Sequence, residues 1–144
     1  MILRSFRLSD YMPVTQLLEA SLAEDCCDKT LEALARQLSL DGELVVVAEA
    51  EEGSQVGIVG IVIGTVDRNN GYYYRLAVHP EYRNQGVGKA LVSKLEQKFQ
   101  QRNVKKIMIA ADEHTEVVLP WFEQLGYGAQ HVLRSLQKLR IVTG

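Results

Sequence analysis

The period of the apolar residues changes several times along the chain, and each change marks an element. "ILRSFRL", residues 2 to 8, alternates apolar with polar and predicts a first strand. Ser9 or Asp10 can cap a helix whose apolar positions are Val14, Leu17, Leu18, Ala20 and Leu22. A second helix is predicted from Asp28 or Thr30, with Leu31, Leu34, Ala35 and Leu38 inward. The "AEDCCD" segment before it reads as a polar loop with three carboxylates. "ELVVVAEAE" is a strand, followed by a turn through Glu52, Gly53 and Ser54 and the long strand "QVGIVGIVIGTV". Gly57, Gly60 and Gly64 thin the side-chain cover of that strand, which suits a bulge or a close neighbour. "DRNNG" is a hairpin turn with Asn70-Gly71 as its strongest signal, and "YYYRLAVH" is strand four.

From Gly86 to about Arg102 the period returns to that of a helix, through Val87, Leu91, Val92, Leu95 and Phe99. "VKKIMIAA" is strand five, and residues near 115 to 125 form a last helix closed by Gly126. The tail from Tyr127 to Val142 alternates well enough for one or two final strands. The order is β-α-α-β-β-β-α-β-α-β, an α+β domain over residues 1–144 with hairpins first and one crossover late. A β-α-β crossover is right-handed and makes strands four and five parallel.

Composition narrows the class. A chain of 144 residues, 47% hydrophobic and 24% charged, fits one folded domain with a real core. Its net charge of -2 gives no global pull on nucleic acid, and Lys105-Lys106 read as a solvated strand start. No apolar run approaches the roughly 20 residues of a membrane span. Arg4 and Arg7 alternate with apolar residues as in a strand, unlike a signal peptide. The expectation is a cytoplasmic protein with neither nucleic acid nor membrane as partner. Cys26 and Cys27 are adjacent, a spacing that suits neither a disulfide nor a zinc site, so two free thiols are expected. His79, His114 and His131 are scattered, and no metal is expected.

The candidate chemistry lies in "VHPEYRNQGVGKAL", residues 78 to 91. Glycine in a helix lowers its stability by roughly 1 kcal/mol relative to alanine, so Gly86 and Gly88 at a helix start imply a close approach to the backbone. Helix N-termini bind anions through unpaired amides, and Arg83 and Lys89 add positive charge. The segment has neither the Gly-x-x-x-x-Gly-Lys-Ser/Thr of a nucleoside triphosphatase nor Gly-x-Gly-x-x-Gly, since position 91 is Leu. On chemistry alone it is either a pyrophosphate site at a helix start or a helix beginning that uses glycine for tight packing.

The longer pattern, residues 76 to 91, resembles the acetyl-CoA signature of the GNAT superfamily of N-acetyltransferases, with Arg83, Gly86 and Gly88 at its core. "FEQLGY", residues 122 to 127, resembles a second element of that family. Within it the chain looks most like small bacterial YpeA-like proteins, which also resemble ribosomal-protein alanine acetyltransferases. The resemblance implies a mixed twisted sheet whose parallel strands four and five splay apart, flanked by about four helices. It implies acetyl-CoA as acyl donor, with the pantetheine arm on the backbone of Leu76, Ala77 and Val78. The Leu76 amide would polarise the thioester carbonyl, and the turn through Arg83, Asn84, Gln85, Gly86, Val87, Gly88 and Lys89 would hold the pyrophosphate. The acceptor would be a small-molecule amine or a protein N-terminus, and the fold accommodates a homodimer through its C-terminal strands.

Two positions depart from the family pattern. Phe122 stands where many members have a Tyr that protonates the leaving thiolate, and Thr115 where an Asn commonly contacts pantetheine. A phenylalanine cannot act as an acid. This leaves two readings: direct transfer in which the coenzyme A thiolate departs unaided, or a non-catalytic acyl-CoA-binding module. Tyr72 and Tyr74 share the face of strand four nearest the reacting carbon in this fold. A Tyr with a pKa near 10 is a poor base but can order a water chain. Glu24, Asp25 and Asp28 would attract a cationic amine.

Overall fold

The computed structural model describes residues 1–52 and 55–143. Six strands form one mixed sheet in their order along the chain. β1 (Ile2–Ser5), β2 (Val45–Glu52), β3 (Gln55–Asp67) and β4 (Asn70–Val78) are successively antiparallel. β5 (Lys106–Ala110) joins β4 parallel, and β6 (Val132–Leu133) joins β5 parallel. Of the expected turn at Glu52, Gly53 and Ser54, residues 53–54 lie outside the described residues.

Helices cover both faces. α1 (Tyr11–Ser21) and α2 (Glu24–Asp41) pack with Val45, Val47, Ile61 and Ile63 in one core. α3 (Val87–Gln101) and α4 (Leu119–Gln124) pack with Val46, Ala48, Val62 and Tyr73 in the other. Alternate residues of β2 therefore enter opposite cores, and the unbroken "LVVVA" run follows from burial on both sides.

Glycines bring α3 down onto the sheet. A Cβ on Gly60 would lie 2.8 Å from Leu91, and one on Gly64 would lie 2.6 Å from Leu95. Gly71 belongs to the same bed, because a Cβ there would meet the Phe99 ring at 2.8 Å. The β3–β4 turn is accordingly not at Asn70-Gly71. It is formed by Arg68 and Asn69, both left-handed at φ 51° and 72°, and flanked by the Asp67–Asn70 pair. Two central residues at positive φ match the twist of a two-residue hairpin.

Two further expectations are corrected. α2 begins at Glu24, so most of "AEDCCD" is its first turn and not a loop. Glu24 and Asp25 sit where the helix dipole favours anions. Cys26 and Cys27 are free and buried. The tail does not make the strands its alternation suggests: β6 is two residues long, and the last described element is α5 (Arg140–Thr143). Leu136, Leu139 and Ile141 are buried in the core beneath α1 and α2, and Arg36 of α2 donates to the Val142 carbonyl at 2.5 Å. The C-terminal edge on which the expected homodimer would form is correspondingly short.

Candidate active site

β4 pairs with β5 only from Asn70 to Tyr73, yet it continues to Val78. At the point of parting, Tyr73 pairs with Gly64 and Arg75 with Ile63, which leaves Tyr74 as an extra residue in β4. Such a bulge bends the strand and increases its twist. Beyond it a cavity of about 560 Å³ opens between β4, the start of α3, and α4. The His79 amide donates to the Val59 carbonyl of β3 at 2.8 Å. By strand alternation the Ala77 backbone also faces β3, while the amides and carbonyls of Leu76 and Val78 face the gap. Leu76 and Val78, and not Ala77, thus offer main-chain partners to an extended ligand. Ala77 supplies a small buried side chain to the wall.

At the mouth of the gap, Gly86 is the N-cap of α3 with φ 83° and ψ 5°. Asn84 is also left-handed, at φ 62°. The first helical bond runs from the Ala90 amide to the Gly86 carbonyl at 3.1 Å. Val87, Gly88 and Lys89 therefore present amides with no acceptor in the helix, and all three line the cavity. Gly86 is favoured by its conformation, whereas Gly88 is favoured by a close neighbour: a Cβ there would lie 3.2 Å from the Trp121 indole. Arg83 lines the rim and donates to the carbonyls of Val78 and Ser21 at 3.3 and 3.4 Å. Gln85 is not on the wall; its side chain turns back to the Glu81 carbonyl at 3.1 Å.

The inner end departs further from the sequence reading. Tyr74 lines the cavity, and burial pushes its phenol up from the ordinary value, further from what a base requires. Tyr72 lies away from the wall, its hydroxyl accepting from Asn70 Nδ2 at 3.5 Å. Phe122, 2% exposed, forms part of the wall and packs on the Tyr73, Trp121 and Tyr127 rings at centroid distances of 5.7, 5.1 and 6.1 Å. The Thr115 hydroxyl is committed within the protein, donating to Asp112 Oδ1 at 3.1 Å and accepting from Arg75 Nη1 at 3.2 Å.

Sequence reasoning missed Arg75, Asp112, Cys26, His114 and Trp121. Arg75 is 6% exposed and bonds Asp112 through both Nη atoms, at 3.1 and 3.0 Å. Burial alone would raise the Asp112 carboxyl, but the Arg75 fork outweighs it and holds the pKa at about 2. An arginine inside the apolar "YYYRLAV" was the available signal, since a charge in a covered strand needs a partner. His114 lines the cavity with Nε2 3.1 Å from Asp25 Oδ2. Ligand atoms of Asp25, Glu113 and His114 lie within 4.8 Å of one another, but the Lys29 ammonium stands 3.1 Å from Glu113 and 3.6 Å from Asp25. Of the three carboxylates expected to attract a cationic amine, Glu24, Asp25 and Asp28, it is Asp25 that these contacts engage.

The architecture has relatives of known structure. The N-acetyltransferase PaiA of Thermoplasma acidophilum, solved in complex with coenzyme A, superposes with a TM-score of 0.68 at 16% identity over 88% of this chain and 89% of that one. The acetyltransferase of Brucella melitensis solved with acetyl-CoA gives 0.68 at 17% identity, covering 90% and 83%. The ribosomal-protein-S18-alanine N-acetyltransferase of Escherichia coli gives 0.65 at 19% identity, covering 88% and 77%. Identities this low speak for the fold. The sequence itself goes further: residues 11–127, which span every element of the cavity, match the acetyltransferase (GNAT) family, and the chain belongs to that family of acetyl-CoA-dependent N-acyltransferases.

Proposed function

We propose that this protein transfers the acetyl group of acetyl-CoA to a primary amine by direct attack in a ternary complex. The observation that carries this reading is the pairing of an unfilled β4 edge with an unpaired helix N-terminus across one cavity. An extended pantetheine arm can add to the edge at Leu76 and Val78, as a peptide adds to a sheet. The diphosphate then meets the amides of Val87, Gly88 and Lys89. Acyl transfer develops negative charge on the carbonyl oxygen, and one fixed N–H, here that of Leu76, can be worth roughly 3 kcal/mol in the transition state. The amine must lose a proton as it attacks. His114, whose ring is held by Asp25, takes that proton directly or through one water.

The acceptor in this reading is a small-molecule amine or a protein N-terminus, and the protein is cytoplasmic. Within the family we place it with the small bacterial YpeA-like proteins, on the strength of residues 76–91 and 122–127. Among the described residues no helix is long and apolar enough to cross a membrane. Phe122 favours a second reading, an acyl-CoA-binding module without turnover, because the side chain at that position carries no proton to give the thiolate. His114→Gln separates the two. With catalysis, kcat falls about 10²-fold at unchanged acetyl-CoA affinity. An active parent with an unaltered variant removes His114 from the mechanism, and a parent inactive with every amine supports the binding module.

A further inference from the structure

Main-chain pairing between β4 and β5 ends at the Tyr73–Ile109 pair, so the ladder does not fix how residues 74–78 stand relative to β5. The Arg75 side chain spans the gap. Arg75 reaches Asp112, just past the end of β5, through both Nη atoms, and its Nε donates to Thr30 Oγ1 of α2 at 2.8 Å. Thr30 in turn donates to the Cys26 carbonyl at 2.6 Å. The guanidinium lies 4.8 Å from the centre of the Tyr74 ring, the bulged residue itself. Tyr74 and Arg75 are adjacent in a strand, yet Tyr74 packs in the core beneath α1 and α2 while Arg75 bonds α2. Only the bulge allows both to turn that way, and Arg75 is clamped on its far side.

We propose that Arg75 is a positioning residue, which pins the Tyr74 bulge to Asp112 and Thr30 so that the neighbouring Leu76 amide stays aimed at the thioester carbonyl. The proposal rests on the acetyl-transfer reading above. Arg75 lines the cavity, but its guanidinium donors are committed within the protein: Nε, Nη1 and Nη2 are occupied by Thr30, Asp112, Thr115 and Tyr74. Stability is a poor reason for such a charge, since replacing a buried ion pair by apolar residues of similar volume is often neutral or stabilising. A planar fork does what a point charge cannot: it fixes direction as well as distance. A shift of about 1 Å in a catalytic group can lower the rate about 10²-fold.

The test uses the full chain, labelled with 15N, as parent, as Arg75→Met/Asp112→Leu, and as Arg75→Lys, which keeps a charge for Asp112 but not the fork. Acetyl-CoA is added to each, amide shifts are recorded, and steady-state rates are measured with an amine panel. In the parent, Leu76 and Val87, Gly88 and Lys89 should all shift. In either folded variant the helix-start amides should still shift while Leu76 does not. Correspondingly, kcat should fall about 10²-fold with little change in KM for acetyl-CoA. Arg75→Lys carries the comparison if the double variant does not fold. A Leu76 shift as large in a folded variant as in the parent overturns the proposal, as does an unchanged kcat. If no amine turns over, the Leu76 comparison alone decides. If the helix-start amides of the parent do not respond at all, acetyl-CoA does not bind here, and the functional reading falls together with this inference.

Discussion

Gly88 meets the Trp121 indole so closely that a single added Cβ would stand 3.2 Å from the ring. The indole is a half-buried part of the cavity wall and can yield by a few tenths of an ångström, so Gly88→Ala should fold and bind coenzyme A only modestly less well. Gly88→Trp fills the space beside the free amides and should abolish binding in a protein of native circular dichroism. Gly86→Ala acts differently, through its φ of 83° with open space around it. It should destabilise by about 1–2 kcal/mol, whereas Gly57→Ala, also in open space but at no positive φ, should not. Calorimetric titration and urea unfolding check both; unchanged affinity in Gly88→Trp would misplace the cofactor.

Phe122→Tyr adds a phenol where many family members carry one. The ring sits among Tyr73, Trp121 and Tyr127, so the new hydroxyl must find a partner in the cavity or be left unsatisfied. With the leaving sulfur as that partner, kcat should rise by less than roughly 10⁴-fold and coenzyme A affinity should hardly change. An active parent with an unaltered variant would assign thiolate protonation to water or another group.

Asp112 gives a pH dependence of definite sign. Its folded pKa of about 2 lies below the ordinary 3.8, so its contribution is full above the unfolded value and is lost as pH falls toward 2. The shift corresponds to on the order of 2 kcal/mol. Asp112→Asn should lack this acid limb between about pH 4 and pH 2. It should also be less stable at neutral pH by about 3 kcal/mol, because Arg75 is left buried without its counter-charge. Urea unfolding across that range measures both, and parallel pH curves for parent and variant would contradict the assignment.

Much of the fold was legible because periodicity reports burial. The runs through Val14 and Leu18, through Leu91 and Phe99, and through Val45 to Ala48 each lie where their spacing implies. The exceptions are positions where one residue type serves two purposes. Acidic residues mark both loops and first helical turns, which hid the start of α2 at Glu24. Glycine serves turns and close packing alike, and Gly71 lies under Phe99 instead of in the hairpin. In the site, the motif located the turn at Gly86 but not the Arg75–Asp112 link, whose partners are 37 residues apart in the chain. Nor does spacing reveal that the Thr115 hydroxyl is bound to Asp112, or that His114 meets Asp25.

Release of coenzyme A thiol from acetyl-CoA, followed with and without a panel of primary amines in the parent and in Gly88→Trp, tests acetyl transfer at this cavity most directly. Release should depend on amine in the parent and be absent in a folded Gly88→Trp. Amine-dependent release that survives in Gly88→Trp would place the chemistry elsewhere, and tight coenzyme A binding with no release for any amine would contradict acetyl transfer.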